Sequence, residues 1–157
     1  MMLWHGSRLS NFAGILSQGL RIAPPEAPAS GYMFGKGLYF ADMVSKSANY
    51  CCAGNSEGVG LLLLCRVAVG TPRKLYRADV NANKLPAGAH STKGVGQTAP
   101  PDSSFVEFRK MSVPTGKGEP TNEMNCSLLY NEFIVYDVSQ AKIEYLVKCK
   151  FNYKSGF

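Results

Sequence analysis

In the stretch KIEYLVKCKFNY, residues 142–153, apolar and polar side chains take turns: Ile143, Tyr145, Val147, Cys149, Phe151 and Tyr153 alternate with Glu144, Lys148, Lys150 and Asn152. A period of two puts each set on its own face of an extended strand, so this segment predicts a half-buried strand and commits the chain to a sheet. GLLLLCRVAVG, residues 60–70, is apolar almost throughout, bounded by glycines and β-branched toward its end, which predicts a buried strand. LLYNEFIVY, residues 128–136, predicts another, and the short DVSQA connection to the last strand predicts that the two pair antiparallel.

Helical signals are few and short. Ser10 or Asn11 is placed to cap a helix whose apolar residues Phe12, Ile15 and Leu16 fall at i, i+3 and i+4, with Gly19 at the stop position. APPEAPASG cannot hold regular structure, because its three prolines remove donors and fix the backbone. Beyond it, Gly35 and Gly37 bracket a turn, LYF resumes an extended path, and Asp42 is placed to cap a second helix on which Lys46 and Tyr50 share a face. The segment from Thr71 to Glu123 predicts mostly loop, with FVEF a short strand, and its length points to an irregular or functional region. No repeat or coiled coil interrupts this pattern, so the fold class is α+β, dominated by sheet, in a single domain.

Charge and cysteine usage narrow the partners. Against 11 Asp and Glu stand 17 Lys and Arg, for a net charge of +6, which suits an anionic partner. The cations are scattered and no run resembles a basic recognition helix, so most of the excess reads as solvated surface. Five cysteines without metal-ligand spacing point to neither a disulfide framework nor a zinc site, and Cys51 and Cys52 read as two small side chains rather than a redox pair. With no signal peptide and no apolar run of about 18 residues, the expectation is a soluble intracellular chain with no metal and no membrane contact.

One carboxylate is out of place. On the strand 128–136, Leu128, Tyr130, Glu132, Ile134 and Tyr136 share a face, and Glu132 is the only charge on it. Burying an unpaired carboxylate is unfavourable, so Glu132 is either a group held for chemistry or a residue paired with a lysine or placed at a cavity edge. His5 in LWHGS is likewise open to two readings, a polar residue at a strand end satisfied by a backbone carbonyl, or a ligand-reading group. Lys46 and Tyr50 read either as one face of a solvated helix or as part of a site.

Taken together, LWHGS, GLRIAPPEAP, GYMFGKGLYFADMVSKSANYC and LLYNEFIVYD closely resemble the catalytic domain of poly(ADP-ribose) polymerases, the nuclear DNA-damage-responsive members in particular. The resemblance runs from Leu3 to near the C terminus and is loose between Thr71 and Glu123. It implies an ADP-ribosyltransferase fold, mainly antiparallel sheets with short helices around a cleft for NAD+, and it matches His5, Tyr39 and Glu132 to the family's H-Y-E triad. By that match His5 contacts the adenine-side ribose, while the Gly6 backbone and the Ser7 hydroxyl read the nicotinamide carboxamide. Tyr39 and Tyr50 sandwich the nicotinamide ring. Lys46 lies near the reacting ribose and Ser47 near the amide, while Asn11 and Arg21 belong to the adenosine pocket. Tyr32, Gly37, Phe40 and Ala41 complete the NAD+-contacting set.

The resemblance also implies the reaction. Loss of nicotinamide leaves positive charge on the ribose, as in glycoside cleavage. Glu132 would stabilise that charge, bond the ribose 2′-hydroxyl and polarise the acceptor hydroxyl, the pattern of polymer-forming members. Expected partners are NAD+ as co-substrate, acceptor proteins including the chain itself, poly(ADP-ribose), and an accessory factor completing the acceptor site. The expected location is nuclear, otherwise cytoplasmic. Relative to the family, residues 1–157 read as a catalytic domain lacking its upstream part, its helical regulatory domain and any DNA-binding domain. Two other readings remain, a catalytically impaired NAD+-binding module and a basic nucleic-acid-binding module.

Overall fold

In the computed structural model, which describes residues 1–28 and 31–152, the apolar run 59–67 is the middle strand of a sheet. The elements in chain order are β1 (Met2–Gly6), α1 (Phe12–Gln18), β2 (Leu38–Phe40), α2 (Val44–Ala48), β3 (Val59–Val67), β4 (Pro72–Leu75) and β5 (Ser91–Gly94). There follow β6 (Gly96–Ala99), β7 (Val106–Phe108), β8 (Met111–Val113), β9 (Glu119–Pro120), β10 (Leu128–Tyr130), β11 (Glu132–Val135) and β12 (Ala141–Lys150). One sheet has the order β1-β3-β12 and a second the order β2-β11-β5-β4. Two smaller sheets, β10-β6-β9 and β7-β8, complete a mostly antiparallel α+β fold in which β4–β5 and β10–β6 are the parallel pairs.

The core lies between the two larger sheets. Leu3 of β1, Leu63, Cys65 and Val67 of β3, Leu38 and Phe40 of β2, and Phe133 and Val135 of β11 form one buried cluster with Phe12. Phe12 is the buried residue of α1, and burying such a side chain, worth about 1.5–3 kcal/mol, docks the helix. The other face of β11 sends Ile134 into a second cluster with Phe34 and Ala82, against which Leu128 and Tyr136 pack. Leu128, Ile134 and Tyr136 are three of the five residues on the predicted face. Trp4 and Ala41 exchange backbone hydrogen bonds of 2.8 and 2.9 Å, which join β1 to the chain leaving β2.

Several local expectations are corrected. The strands at 132–135 and 141–150 do not pair. β11 lies between β2 and β5 while β12 pairs with β3, because DVSQA folds into a 3-10 turn closed by an Asp137 and Gln140 capping box. The Gln140 amide donates to the carbonyls of Ala68 and His90, which steers the chain away from a hairpin. The predicted strand 128–136 breaks at Asn131, where its pairing passes from β6 to β5 and β2. Thr71–Glu123 is mostly loop, as expected, but it carries six short strands, β4 to β9, where the sequence offered only FVEF. Those strands have two to four residues each, too short for a period of two to show.

The helix caps also differ. α1 follows a 3-10 turn, and Asn11 at its N-cap position donates to Ser7 instead of capping. Gly19 ends the helix as predicted, at φ 78° with its N–H on the Ile15 carbonyl. α2 starts after Met43 rather than Asp42, and Tyr50 falls in the 3-10 turn beyond it. In β12 a bulge between Ile143 and Tyr145 shifts the alternation. Tyr145 and Leu146 are thus both exposed, and Glu144 meets Arg66 at 2.6 Å. Ala29 and Ser30 of the proline-rich loop and Tyr153 of the last strand lie outside the described residues.

Candidate active site

β1 ends at the site, and its last turn of alternation decides which way Gly6 faces. Trp4 spends its N–H and C=O on Ala41, away from β3. Groups two residues apart on a strand point to the same side, so Gly6 directs its own N–H and C=O away from β3 as well. A Cβ at Gly6 would run into the carbonyl of Ser47, so only glycine lets β1 and α2 approach this closely. Ser47 is buried and donates its hydroxyl to the Trp4 carbonyl at 3.0 Å, which leaves its oxygen able to accept.

His5 is a strand-end residue satisfied by a backbone carbonyl, which leaves one ring nitrogen uncommitted. Its Nδ1 lies 2.8 Å from the Tyr39 carbonyl. Donation there leaves Nε2 of the neutral ring as an acceptor. Burial pushes the imidazole below its ordinary pKa and outweighs that carbonyl's opposing effect, so the ring is neutral at physiological pH. Tyr39, on β2, donates its hydroxyl to the Gly35 carbonyl at 2.7 Å and accepts from the Phe34 N–H at 3.0 Å. Burial, chiefly, raises its pKa. Tyr32 leans on the same ring, 6.1 Å between centroids at 48°.

Opposite them, α2 presents Lys46 to the first residue of β11. The Lys46 ammonium sits 2.9 Å from Glu132 Oε1, with side chains 11% and 10% exposed, and it also donates to the Tyr130 carbonyl at 3.1 Å. Of the two readings of Glu132, the structure shows the second, a carboxylate paired with a lysine at the edge of a cavity, which leaves it placed for chemistry as well. In such a pair, loss of one partner strands the other charge in a poorly solvated place. Tyr50 stands in the turn after α2, 56% exposed, its pKa raised first by burial and then by the Glu132 charge.

These groups converge on one cleft. A cavity of about 970 Å³ is lined by His5, Ser7, Asn11, Arg21, Tyr32, Gly37, Tyr39, Lys46, Tyr50 and Glu132, at the upper end of the range of about 300–1,000 Å³ usual for ligand clefts. A recess of about 100 Å³ shares His5, Tyr39, Lys46, Tyr50 and Glu132 with it and adds Gly6, Phe40, Ala41 and Ser47. Every residue that the resemblance matched to the NAD+-contacting set thus lines the cleft or its recess. Sequence reasoning missed the α1 wall, Gly14, Ile15 and Gln18, and also Met33 and Leu128. Nothing in the sequence of α1 signalled this wall, since Ile15 was named only for its apolar spacing and Gly14 and Gln18 belong to no motif.

With this geometry in place, comparison with known proteins is decisive. Residues 1–151 match the family model of the poly(ADP-ribose) polymerase catalytic domain. The chain belongs to this family. Among its relatives, poly [ADP-ribose] polymerase 1 of Xenopus laevis is 61% identical over 155 residues, which are 99% of this chain and 15% of that protein. Poly [ADP-ribose] polymerase 2 of Arabidopsis thaliana is 60% identical over 157 residues, 98% of this chain and 24% of that protein. The chain therefore spans about a seventh to a quarter of the length of these family members, and its α+β architecture is that of the family's ADP-ribosyltransferase fold.

Proposed function

We propose that residues 1–157 form a catalytic domain that uses NAD+ as substrate, releases nicotinamide and transfers ADP-ribose to protein side chains and to growing ADP-ribose chains. The observation that carries this reading is the Glu132 carboxylate, held by Lys46 where the cleft meets its recess. The residues fit the dinucleotide. The recess has a free peptide edge at Gly6, the Ser47 hydroxyl and the rings of Tyr39 and Tyr50, which suit a flat carboxamide. The longer cleft, with Arg21, Asn11 and Ser7 at its α1 side, suits the adenosine half.

NAD+ supplies a ribose bound to a cationic ring that is a good leaving group. As that bond weakens, the fixed carboxylate of Glu132 opposes the positive charge growing on the ribose, and a charge already in place needs no reorganisation. Neutral His5 accepts from a ribose hydroxyl through Nε2 while the Tyr39 carbonyl holds its other side. Lys46 keeps Glu132 in position and is itself anchored by the Tyr130 carbonyl. Glu132 then accepts a hydrogen bond from an incoming hydroxyl and takes its proton as that oxygen bonds to the ribose carbon that nicotinamide leaves, which makes chain growth part of the same reading. Acceptor proteins, poly(ADP-ribose) and a nuclear setting go with it, supported by the family match, and an accessory factor at the acceptor side is part of the same proposal.

The test is incubation of the chain with NAD+ labelled in the adenosine half, following nicotinamide release and label incorporation. Release together with a ladder of labelled products supports polymer transfer. Saturable NAD+ binding with no release would leave a binding module and sink the proposal.

A further inference from the structure

Behind the Lys46–Glu132 pair lies a second buried polar pair that lines neither the cleft nor its recess. Asn131, 2% exposed, precedes Glu132 at the break between β10 and β11, and Asp42, 4% exposed, lies four residues before Lys46. The Asn131 side-chain amide does two things. Its oxygen accepts from the Gly96 N–H at 2.9 Å, and its nitrogen donates to Asp42 Oδ2 at 2.7 Å. The backbone just before Asp42 is itself fixed, by the Ala41 exchange with Trp4.

This arrangement is costly for the fold. Asp42 Oδ1 is buried with no hydrogen-bond partner among the described residues that meets ordinary geometry, and burial raises the carboxyl's pKa against the opposing effects of Asn131, Lys93, its own backbone N–H and Lys46. An apolar pair of the same size would strand no carboxylate oxygen, but would leave the Gly96 N–H without its acceptor. What an apolar pair would lack is direction, since a short hydrogen bond fixes one register between two elements while packed methyls tolerate sliding. The elements joined here are the one entering α2, which delivers the ammonium, and the one entering β11, which delivers the carboxylate.

We propose that Asp42 and Asn131 are positioning residues, whose mutual hydrogen bond sets the Glu132 carboxylate against Lys46. The kinetic side of this inference rests on the transferase reading, and the spectroscopic side does not. The experiment compares the full chain with N131D, D42N and D42N/N131D. N131D places two carboxyl groups face to face with no amide donor between them. In D42N/N131D the two side chains trade chemistry: the amide now stands before α2 and donates to a carboxylate before β11, which still accepts from Gly96. The bond is thus remade with its polarity reversed. D42N alone keeps an amide donor and an acceptor. For each variant, kcat and KM for nicotinamide release are measured, along with the ¹³C resonance of the Glu132 carboxylate, assigned by its loss in E132Q.

The expected result for N131D is a kcat lower by about 100-fold, the loss that a misplacement of about 1 Å carries, with KM nearly unchanged and the Glu132 resonance shifted. D42N and D42N/N131D should return both toward the parent. Parent-like kcat and resonance in N131D overturn the proposal. A double variant as impaired as N131D, whether folded or not, also overturns it. A parent chain that binds NAD+ without turning it over removes the transferase reading, and the resonance then decides the positioning alone.

Discussion

Glu132 and His5 are held at one site by different means. Glu132 is held against an ammonium at 2.9 Å, so Glu132→Gln keeps the shape, removes the charge and leaves Lys46 unopposed. Nicotinamide release should fall by about 10²–10³, the scale of one preorganised electrostatic contact, while NAD+ affinity by equilibrium dialysis changes little. A variant that turns over at the parent's rate would refute the assignment. His5 is held neutral by burial, with a pKa below its ordinary value. The unfolded chain takes up that proton below about pH 6.5 and the folded chain only at lower pH. Between those limits the unfolded state binds more protons, so stability from this residue rises with pH and is lost on acidification. Urea midpoints taken from about pH 7 to pH 5 should slope downward with falling pH, and His5→Gln should flatten that slope. A slope unchanged in the variant would assign it to other groups.

Among the elements, β1 and α2 are the pair whose separation leaves least room. Because a Cβ at Gly6 meets the Ser47 carbonyl, Gly6→Ala must push α2 outward and carry Lys46 with it. The overpacking should cost about 1–3 kcal/mol in urea denaturation and weaken NAD+ binding as well, whereas a variant as stable as the parent would mean that α2 has slack there. The long elements were legible from sequence, because β3 and β12 are long enough for pattern to speak and Gly19 stops α1 by a positive φ that only local chemistry dictates. The cleft residues were legible mainly through the family's motifs. Pattern alone left His5, Lys46 and Glu132 open to two readings. The pairing was not legible. β11 reads like a partner of β12, and only the turn that Asp137 closes by accepting from the Ser139 N–H, with the Gln140 amide donating to the distant Ala68 and His90 carbonyls, sends it elsewhere. Asp42 looks like a helix cap until Asn131, 89 positions away in sequence, claims its carboxylate.

Over the whole molecule, filling the cleft couples to stability by mass action. A planar benzamide-type ligand that enters the recess should raise the unfolding free energy by about 2.7 kcal/mol at 100 times its Kd, read as a higher Tm, and at a fixed ligand concentration Tyr50→Ala should shrink that shift. Equal shifts in parent and variant would place the ligand elsewhere. The sheet built around β3 has a consequence of another kind. Its middle strand, residues 59–67, pairs on one side with residues 2–6 and on the other with residues 141–150. While the chain is being made, β1 is available to β3 early, but the strand that closes its other edge emerges only after β4 to β11. Pairings this distant in sequence form slowly, and until residue 150 has left the ribosome the apolar edge of β3 stays uncovered. A holdase acting on the growing chain would find its target there, at 59–67, and nascent chains arrested before β12 should be the form of this protein most prone to aggregate.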